Sequence, residues 1–147
     1  MKVAIVLNTS WNIYNFRMNF VKALMHQGHE VHTIAPVDDY THHLVHAGCH
    51  HHNVTMDSRG ANLIKDTALI AELAIIYNKV NPDVVLHYTI KPNVYGTLAA
   101  ALVGIPAINN VWPWNSFFEN RNCVNPCKTS LQNIISICSQ SFFSECR

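Results

Sequence analysis

Charged residues are scarce in this 147-residue sequence: they make up 13% of the chain, while 49% of the residues are hydrophobic. This balance excludes a disordered chain and indicates a folded domain. Ten Lys and Arg against nine Asp and Glu leave a net charge of +1, which provides no broad positive field. Nucleic acid is therefore not an expected partner.

Long apolar runs are missing as well. No run approaches the roughly 20 residues that a membrane-spanning helix needs. The apolar residues 3–7 that follow Lys2 are too few for the core of a signal peptide, and no small-residue cleavage site comes after them. The sequence therefore predicts a cytoplasmic location.

Glycine and cysteine each occur only five times, and their distribution is uneven. The first loop lacks the three spaced glycines of a dinucleotide fingerprint, which disfavours a cofactor of that kind. Cys49 stands alone in the first 122 residues. From Trp112 onward the chain holds six Ser, five Asn and four Cys but no Gly or Ala, so residues 112–147 are predicted to form an irregular tail.

The first 111 residues alternate between apolar runs and amphipathic patterns. Continuous apolar, β-branched runs are typical of parallel strands that are buried on both faces. The alternation predicts an α/β fold with a doubly wound, Rossmann-like parallel sheet. The predicted strands are Lys2–Leu7, Glu30–Ala35, His50–Thr55, Asp83–His87 and Ile105–Val111, and the predicted helices are Asn15–Gly28, Asp38–Ala47, Leu69–Val80 and Pro92–Val103.

The loops at the carboxyl ends of the strands hold the candidate binding residues, because ligands bind there in open parallel sheets. The loop Asn8–Asn15 is rich in small polar groups, including Ser10. We expect Asn15 to be the N-cap of the following helix and Arg17 to lie in the first turn of that helix. A helix N-terminus beside a guanidinium favours anion binding. The alternative is an ordinary polar connection with a solvated Arg17.

Two later loops add candidates. Arg59 and Gly60 follow the third strand, where Gly60 allows backbone to approach a ligand closely. The alternative for Arg59 is a surface position in a flexible loop. The fourth strand ends at His87, and Lys91 then begins a helix, where its ammonium is a candidate for holding a phosphate oxygen.

The ten histidines raise the question of a metal site. His42 and His46 are one helical turn apart, and His50, His51 and His52 follow. Zinc needs converging ligands, but His51 points to the opposite strand face from its neighbours, and no Cys or carboxylate has ligand spacing nearby. No metal site is assigned, and a metal-binding protein remains only a third alternative.

Five stretches, in the same order along the chain, resemble family 4 glycosyltransferases of the branch that builds bacterial surface polysaccharides. Single pieces such as the Gly-His-Glu-Val turn are common, but the five together are specific. They are Ile13–Met18, Gln27–Val31, Pro36–Thr41, Ser58–Gly60 and Thr89–Ala100.

This resemblance implies a GT-B enzyme with two facing Rossmann-like domains, of which the first holds the acceptor and the second the nucleotide sugar. Residues 1–111 match the first domain. The implied reaction is a retaining, metal-independent transfer from a nucleotide sugar, used as donor substrate without any further cofactor, to a lipid-diphosphate-linked acceptor. That acceptor implies peripheral association with the inner face of the cytoplasmic membrane.

The resemblance and the loop positions together give the expected substrate-binding residues. Arg17, Arg59 and Lys91 are expected to converge on one cleft and to hold a diphosphate. No catalytic residue is assigned, because Ile90 stands where some relatives have a histidine. The full set is Asn8, Ser10, Tyr14, Asn15, Arg17, Arg59, Gly60, His87, Lys91 and Asn93.

Trp112–Ser116 stands where the family has a glycine-rich loop. Codons for Trp-Pro-Trp-Asn-Ser, read one nucleotide later, permit Gly-Leu-Gly-Thr-Val, which resembles that loop. We interpret residues 112–147 as an out-of-frame, poorly ordered and protease-sensitive tail, so that the chain lacks its donor domain and is inactive alone. The alternative is a stand-alone flavodoxin-like module that binds a phosphorylated ligand and has a functional tail.

The nucleotide sequence of the gene separates these two interpretations. We expect codons for a family-like donor domain to continue in the shifted frame beyond the stop codon. Every Trp codon becomes a Gly codon in that frame, so the evidence is the spacing of Trp112 and Trp114 and their compatible neighbours, with an AGY codon for Ser116. Sequencing the gene and its downstream region measures this directly. Non-coding sequence at that place would favour the stand-alone module.

Overall fold

The computed structural model describes residues 1–57 and 63–110, in which strands and helices alternate. The strands are β1 (Lys2–Val6), β2 (Glu30–Ile34), β3 (His50–His52), β4 (Val84–Tyr88) and β5 (Ala107–Asn110). The helices are α1 (Ser10–His26), α2 (Thr41–His46), α3 (Leu63–Val80) and α4 (Thr97–Val103), and a π-helical turn, Pro92–Gly96, leads directly into α4.

The five strands form one parallel sheet in the order β3-β2-β1-β4-β5. The central strand β1 pairs with β2 from Lys2 opposite Glu30, and with β4 from Val3 opposite Val84. This is the strand order of a Rossmann half, and it differs from the 2-1-3-4-5 order of flavodoxin-like proteins. The predicted doubly wound α/β fold is confirmed, and the flavodoxin-like alternative is wrong as a description of the fold.

Two hydrophobic cores cover the two faces of the sheet. On one face, α1 and α2 pack Ile13, Phe20 and Leu44 against the strands. On the other face, α3 and α4 contribute Leu73 and Ala99 among others. Strands covered on both faces need apolar side chains in both directions, which explains the continuous apolar runs in the sequence.

Helix α1 begins at Ser10, five residues before the N-cap that the sequence predicts. Thr9 is the N-cap, because its hydroxyl accepts a hydrogen bond from the backbone N–H of Asn12. The carboxylate of Asp38, from the loop after β2, accepts a second one from the N–H of Trp11 at 2.9 Å. The predicted polar loop Asn8–Asn15 is therefore mostly the first part of a helix.

Gly96 provides the space in which a buried histidine lies. A Cβ atom added at Gly96 would stand 2.5 Å from Nε2 of His87 and 2.8 Å from its Cδ2. The ring of His87 is held on both sides, since Nε2 contacts the Tyr77 hydroxyl and Nδ1 contacts Oδ1 of Asn109, each at 2.9 Å. The ring has no room to move away.

Gly96→Ala is therefore expected to destabilise the fold by about 2–3 kcal/mol, because overpacking of this kind displaces a buried, hydrogen-bonded ring. Denaturant unfolding followed by circular dichroism measures the effect. Leu102→Ala is the matched control on the exposed side of α4, and it should change stability by less than about 0.5 kcal/mol. Equal small effects of both changes would contradict the packing argument.

Candidate functional site

The order of strands reverses between β1 and β4, and this reversal opens a crevice at their carboxyl ends. Asn8 and Thr9 follow β1 on one side, and on the other side β4 ends at Tyr88 and is followed by Thr89. We call this the switch-point crevice. Ligands in open α/β sheets bind at such places, so it is the candidate functional site.

Arg17 contributes a cation to the switch-point crevice. Its guanidinium carbon lies 4.7 Å from the centre of the Tyr88 ring, which is a cation–π distance. Arg17 sits two helical turns inside α1, not in the first turn as predicted, because the helix begins earlier. Its long side chain nevertheless reaches the end of β4.

The N-terminus of α1 is fastened to the neighbouring loop. The buried Ser10 hydroxyl donates to the backbone oxygen of Pro36 and accepts from the hydroxyl of Thr41, each at 3.1 Å. With Asp38 already bonded to Trp11, these groups hold α1 against the segment that leads into α2. Ser10 is therefore a structural residue, which corrects its assignment to substrate, and a carboxylate takes the place expected for a bound anion.

Tyr14 and Asn15 also make contacts within the protein. The ring of Tyr14 stacks on His43 with centroids 4.9 Å apart and lies 5.6 Å from the ring of Tyr40. The exposed Asn15 donates its side-chain amide to the backbone oxygen of Trp11. Tyr14 therefore joins α1 to α2, and Asn8 is the predicted polar residue that stays beside the crevice, half-buried.

Lys91 turns to the other face of the sheet. Its ammonium donates to Oδ1 of Asp66 at 3.0 Å, and the Tyr95 hydroxyl donates to Oδ2 at 2.9 Å, which raises the pKa of Tyr95. The Lys91 and Asp66 side chains are only 17% and 5% exposed. They lie at a cavity of about 190 Å³ that Thr55 and Asp57 also line.

The predicted convergence of cations is therefore wrong for the two described members. Arg17 reaches Tyr88, which belongs to the core on the α1 side, whereas Lys91 pairs with Asp66 of α3 on the opposite side. The Asp66 carboxylate also neutralises the charge of Lys91. Arg59 and Gly60 lie outside the described residues.

His87 does not reach the crevice, which corrects its assignment as a cleft residue. It is 0% exposed, and burial lowers its pKa to about 4, so the ring is neutral at physiological pH. Because Oδ1 of Asn109 is an acceptor, Nδ1 carries the hydrogen and Nε2 accepts from Tyr77. His87 connects α3 to the strands.

Asn93 and its neighbours form a polar edge beside β4 and β5. The amide of Asn93 donates to the backbone oxygen of Asn110 at 3.2 Å. Thr89 has a φ of +69°, a conformation that is uncommon outside glycine. Among residues 1–57 and 63–110, Oγ1 of Thr89, Oδ1 of Asn93 and Nδ2 of Asn110 are buried without a hydrogen-bond partner.

Sequence reasoning missed four residues that shape this region: Asp38, Asp66, Thr89 and Asn110. Asp66 lies among apolar helix positions, and its partner is 25 residues away, so no local signal marks it. Asn109 and Asn110 did carry a signal, because two adjacent amides in a buried strand need partners.

The described ranges hold neither a cluster of metal ligands nor a membrane-spanning helix. Within residues 1–57 and 63–110, no group of three or more His, Cys, Asp or Glu side chains is arranged to hold a metal ion. In the same part of the chain, no helix combines the length and the apolar character needed to cross a membrane.

The fold defines the class as a Rossmann-like α/β domain of the kind that GT-B proteins contain. The chain belongs to the glycosyl transferase 4-like family, whose model matches residues 2–140. The match continues past Val111 into the segment that the sequence predicts to be out of frame, and that interpretation stays a prediction. No curated protein sequence matches the chain significantly.

Solved structures with the same fold include transferases and epimerases. A glycosyltransferase from Rickettsia africae has a TM-score of 0.61 at 19% identity, over 74% of this chain and 28% of that one. MurG from Acinetobacter baumannii has a TM-score of 0.57 at 17% identity, over 74% and 33%. UDP-GlcNAc 2-epimerase from Methanocaldococcus jannaschii has a TM-score of 0.59 at 20% identity, over 84% and 34%.

These likenesses establish the fold alone, since every identity is low. The chain spans about a third of the length of each of these proteins. Because epimerases and transferases share the fold, the family match is what distinguishes a transferase.

Replacing Asp66 tests how the Lys91 region is held. Asp66→Ala leaves a buried ammonium without its carboxylate, so we expect a loss of about 3–5 kcal/mol. Asp57→Ala is the matched control, since its pair with Lys65 spans 3.5 Å between side chains that are 52% and 66% exposed, and it should cost at most about 1 kcal/mol. Urea unfolding of both variants measures the difference, and equal costs would contradict a buried pair.

Proposed function

We propose that the chain is the acceptor-binding half of a glycosyltransferase that acts in bacterial surface polysaccharide synthesis. The observation that carries this proposal is the family match over residues 2–140, joined to the Rossmann strand order. The acceptor that we propose is a sugar linked to a lipid diphosphate. The sequence motifs resemble the branch of the family that includes the galactosaminyltransferase acting on diacetylbacillosaminyl-diphospho-undecaprenol.

The charges of the described residues indicate which of them suit the diphosphate of the proposed acceptor. Arg17 is the described cation at the crevice that is suited to a diphosphate oxygen, because a guanidinium offers several fixed N–H donors. Lys91 adds no net positive charge beside Asp66. Arg59 stays a proposed second cation on sequence grounds.

Hydroxyl and amide groups suit the sugar of the acceptor. The free hydrogen-bonding atoms of Thr89, Asn93 and Asn110 lie together at the carboxyl end of β4 and β5, and a sugar offers hydroxyls that both donate and accept. Asn8 follows the end of β1 and is half-buried. These four groups replace His87, Ser10 and Tyr14 in the proposed site.

The nucleotide-sugar site belongs, in this proposal, to a second domain that residues 1–110 do not include. No described residue is assigned as catalytic base, since His87 is buried with both nitrogens bonded. We therefore propose that the chain binds acceptor and is inactive alone. A lipid-linked acceptor would bring it to the inner face of the cytoplasmic membrane.

Binding measurements on the full chain test this proposal. The probe is a short-chain polyprenyl-diphospho-N-acetylhexosamine, titrated in detergent and compared with UDP-N-acetylhexosamine. We expect saturable binding of the lipid-linked sugar and none of the nucleotide sugar. Arg17→Ala should weaken lipid-linked sugar binding tenfold or more, because a charge-assisted hydrogen bond contributes about 1.5–3 kcal/mol.

Lys22→Ala is the matched control, because Lys22 is an exposed cation on the same helix; it should change the Kd by less than twofold. Equal losses in both variants would indicate non-specific attraction and reject the site. Binding of the nucleotide sugar alone, or sugar transfer by the chain alone, would reject the proposed half-domain role.

A further inference from the structure

Strand β3 is one of the two edge strands of the described sheet, and all three of its residues are histidines. Each imidazole contacts a side chain of β2. His51 lies 3.2 Å from the hydroxyl of Thr33 on one face, while His50 and His52 lie on the other face beside His32. The side chains of β3 that contact β2 are therefore all titratable imidazoles.

A chain of hydrogen bonds runs through the interior of this contact. Nε2 of His32 lies 2.9 Å from Oε1 of Glu30, and Nδ1 of His32 lies 3.0 Å from Nε2 of His52. The carboxylate only accepts, so Nε2 of His32 carries a hydrogen and Nδ1 is bare in the neutral ring. His52 then donates from Nε2 to that bare nitrogen.

Nδ1 of His32 and Nε2 of His52 face each other, and there is room for only one hydrogen between them. One added proton can be accommodated, because either ring can be the donor while the other accepts. If both rings are protonated, two N–H groups face each other at 3.0 Å and the bond is lost. Two positive charges then also repel across the strand pair.

The surroundings oppose protonation of these rings. Burial is the largest cause that lowers the pKa of His32 and of His52, and for His52 the nearby His32, His51, Lys79 and His50 act in the same direction. Lys2 on β1 and His50 on β3 also disfavour a charge on His32, whereas Glu30 favours one.

We propose that an imidazole clasp between His32 and His52 holds the edge strand β3 on β2, and that the clasp opens when both rings are protonated. The inference does not depend on the proposed function. It has a consequence for the cavity beside Lys91, since β3 leads directly into Asn53–Asp57, and Thr55 and Asp57 line that cavity. Opening of the clasp therefore loosens the side of the cavity that Thr55 and Asp57 line.

The direction of the pH effect follows from proton binding. In the opened strand the histidines titrate near 6.5, whereas in the closed clasp they bind the second proton only at a lower pH. The open form therefore gains protons first as pH falls below about 6.5, and the closed form loses stability from there downward.

Hydrogen exchange of the full chain at pH 7.5 and pH 5 tests the clasp. After correction for intrinsic exchange rates, the protection factors of the β3 amides should fall at least tenfold at pH 5, while those of β1 and β4 stay within threefold. Unchanged protection of β3, or an equal fall in all strands, would overturn the proposal.

His52→Gln is the matched variant, because its amide still donates to His32 at neutral pH and accepts from a protonated His32 at acid pH. It should keep β3 protected at pH 5. His46→Gln, at an exposed position on α2, should respond to acid as the unmodified chain does. An acid response of His52→Gln equal to that of His46→Gln would overturn the clasp.

Titration of the imidazole rings followed by NMR is a second test, and it does not depend on either variant. Protonation of both rings, His32 and His52, should be complete only at a pH below the usual range of an imidazole, and the β3 amide signals should shift in the same pH range. Protonation of both rings without any shift of the β3 amide signals would contradict the proposal.

Discussion

Parallel pairing of β1 with both β2 and β4 is the constraint on which the rest of the structure depends. The strand is fully buried from Val3 to Val6, and helices cover both of its faces. Because the chain returns to opposite sides of β1, the loops that follow β1 and β4 separate. The crevice, the position of Arg17 against Tyr88 and the placement of Lys91 on the far face all follow from this arrangement.

Burial decides which polar groups remain available to a ligand. His87 and Asp66 are polar residues inside the core, and each is held by partners from other elements, His87 by Tyr77 and Asn109, and Asp66 by Lys91 and Tyr95. Groups held in this way stabilise the packing of helices on the sheet. The polar edge at Thr89 and Asn93 differs, since it retains unsatisfied atoms among the described residues.

Several elements could be predicted from local pattern alone. The runs Lys2–Leu7 and Glu30–Ala35 predicted the first two strands to within one residue. The start of α1 was missed although its N-cap, Thr9, is local, whereas the second acceptor for its amides, Asp38, is 27 residues away from Trp11. A cap that comes from another loop leaves no trace in the helix's own residues.

The sequence by itself determined the alternation of strands and helices, the family motifs and the change of composition at Trp112, because these depend on periodicity and order along the chain. Only the tertiary structure decided that the cations of Arg17 and Lys91 lie apart. Arg17 and Lys91 both follow strands that end at the same sheet edge, and sequence position alone placed them together. Their side chains lie on opposite faces because the largely buried ammonium of Lys91 pairs with the carboxylate of Asp66 on the α3 side, whereas the guanidinium of Arg17 contacts the ring of Tyr88.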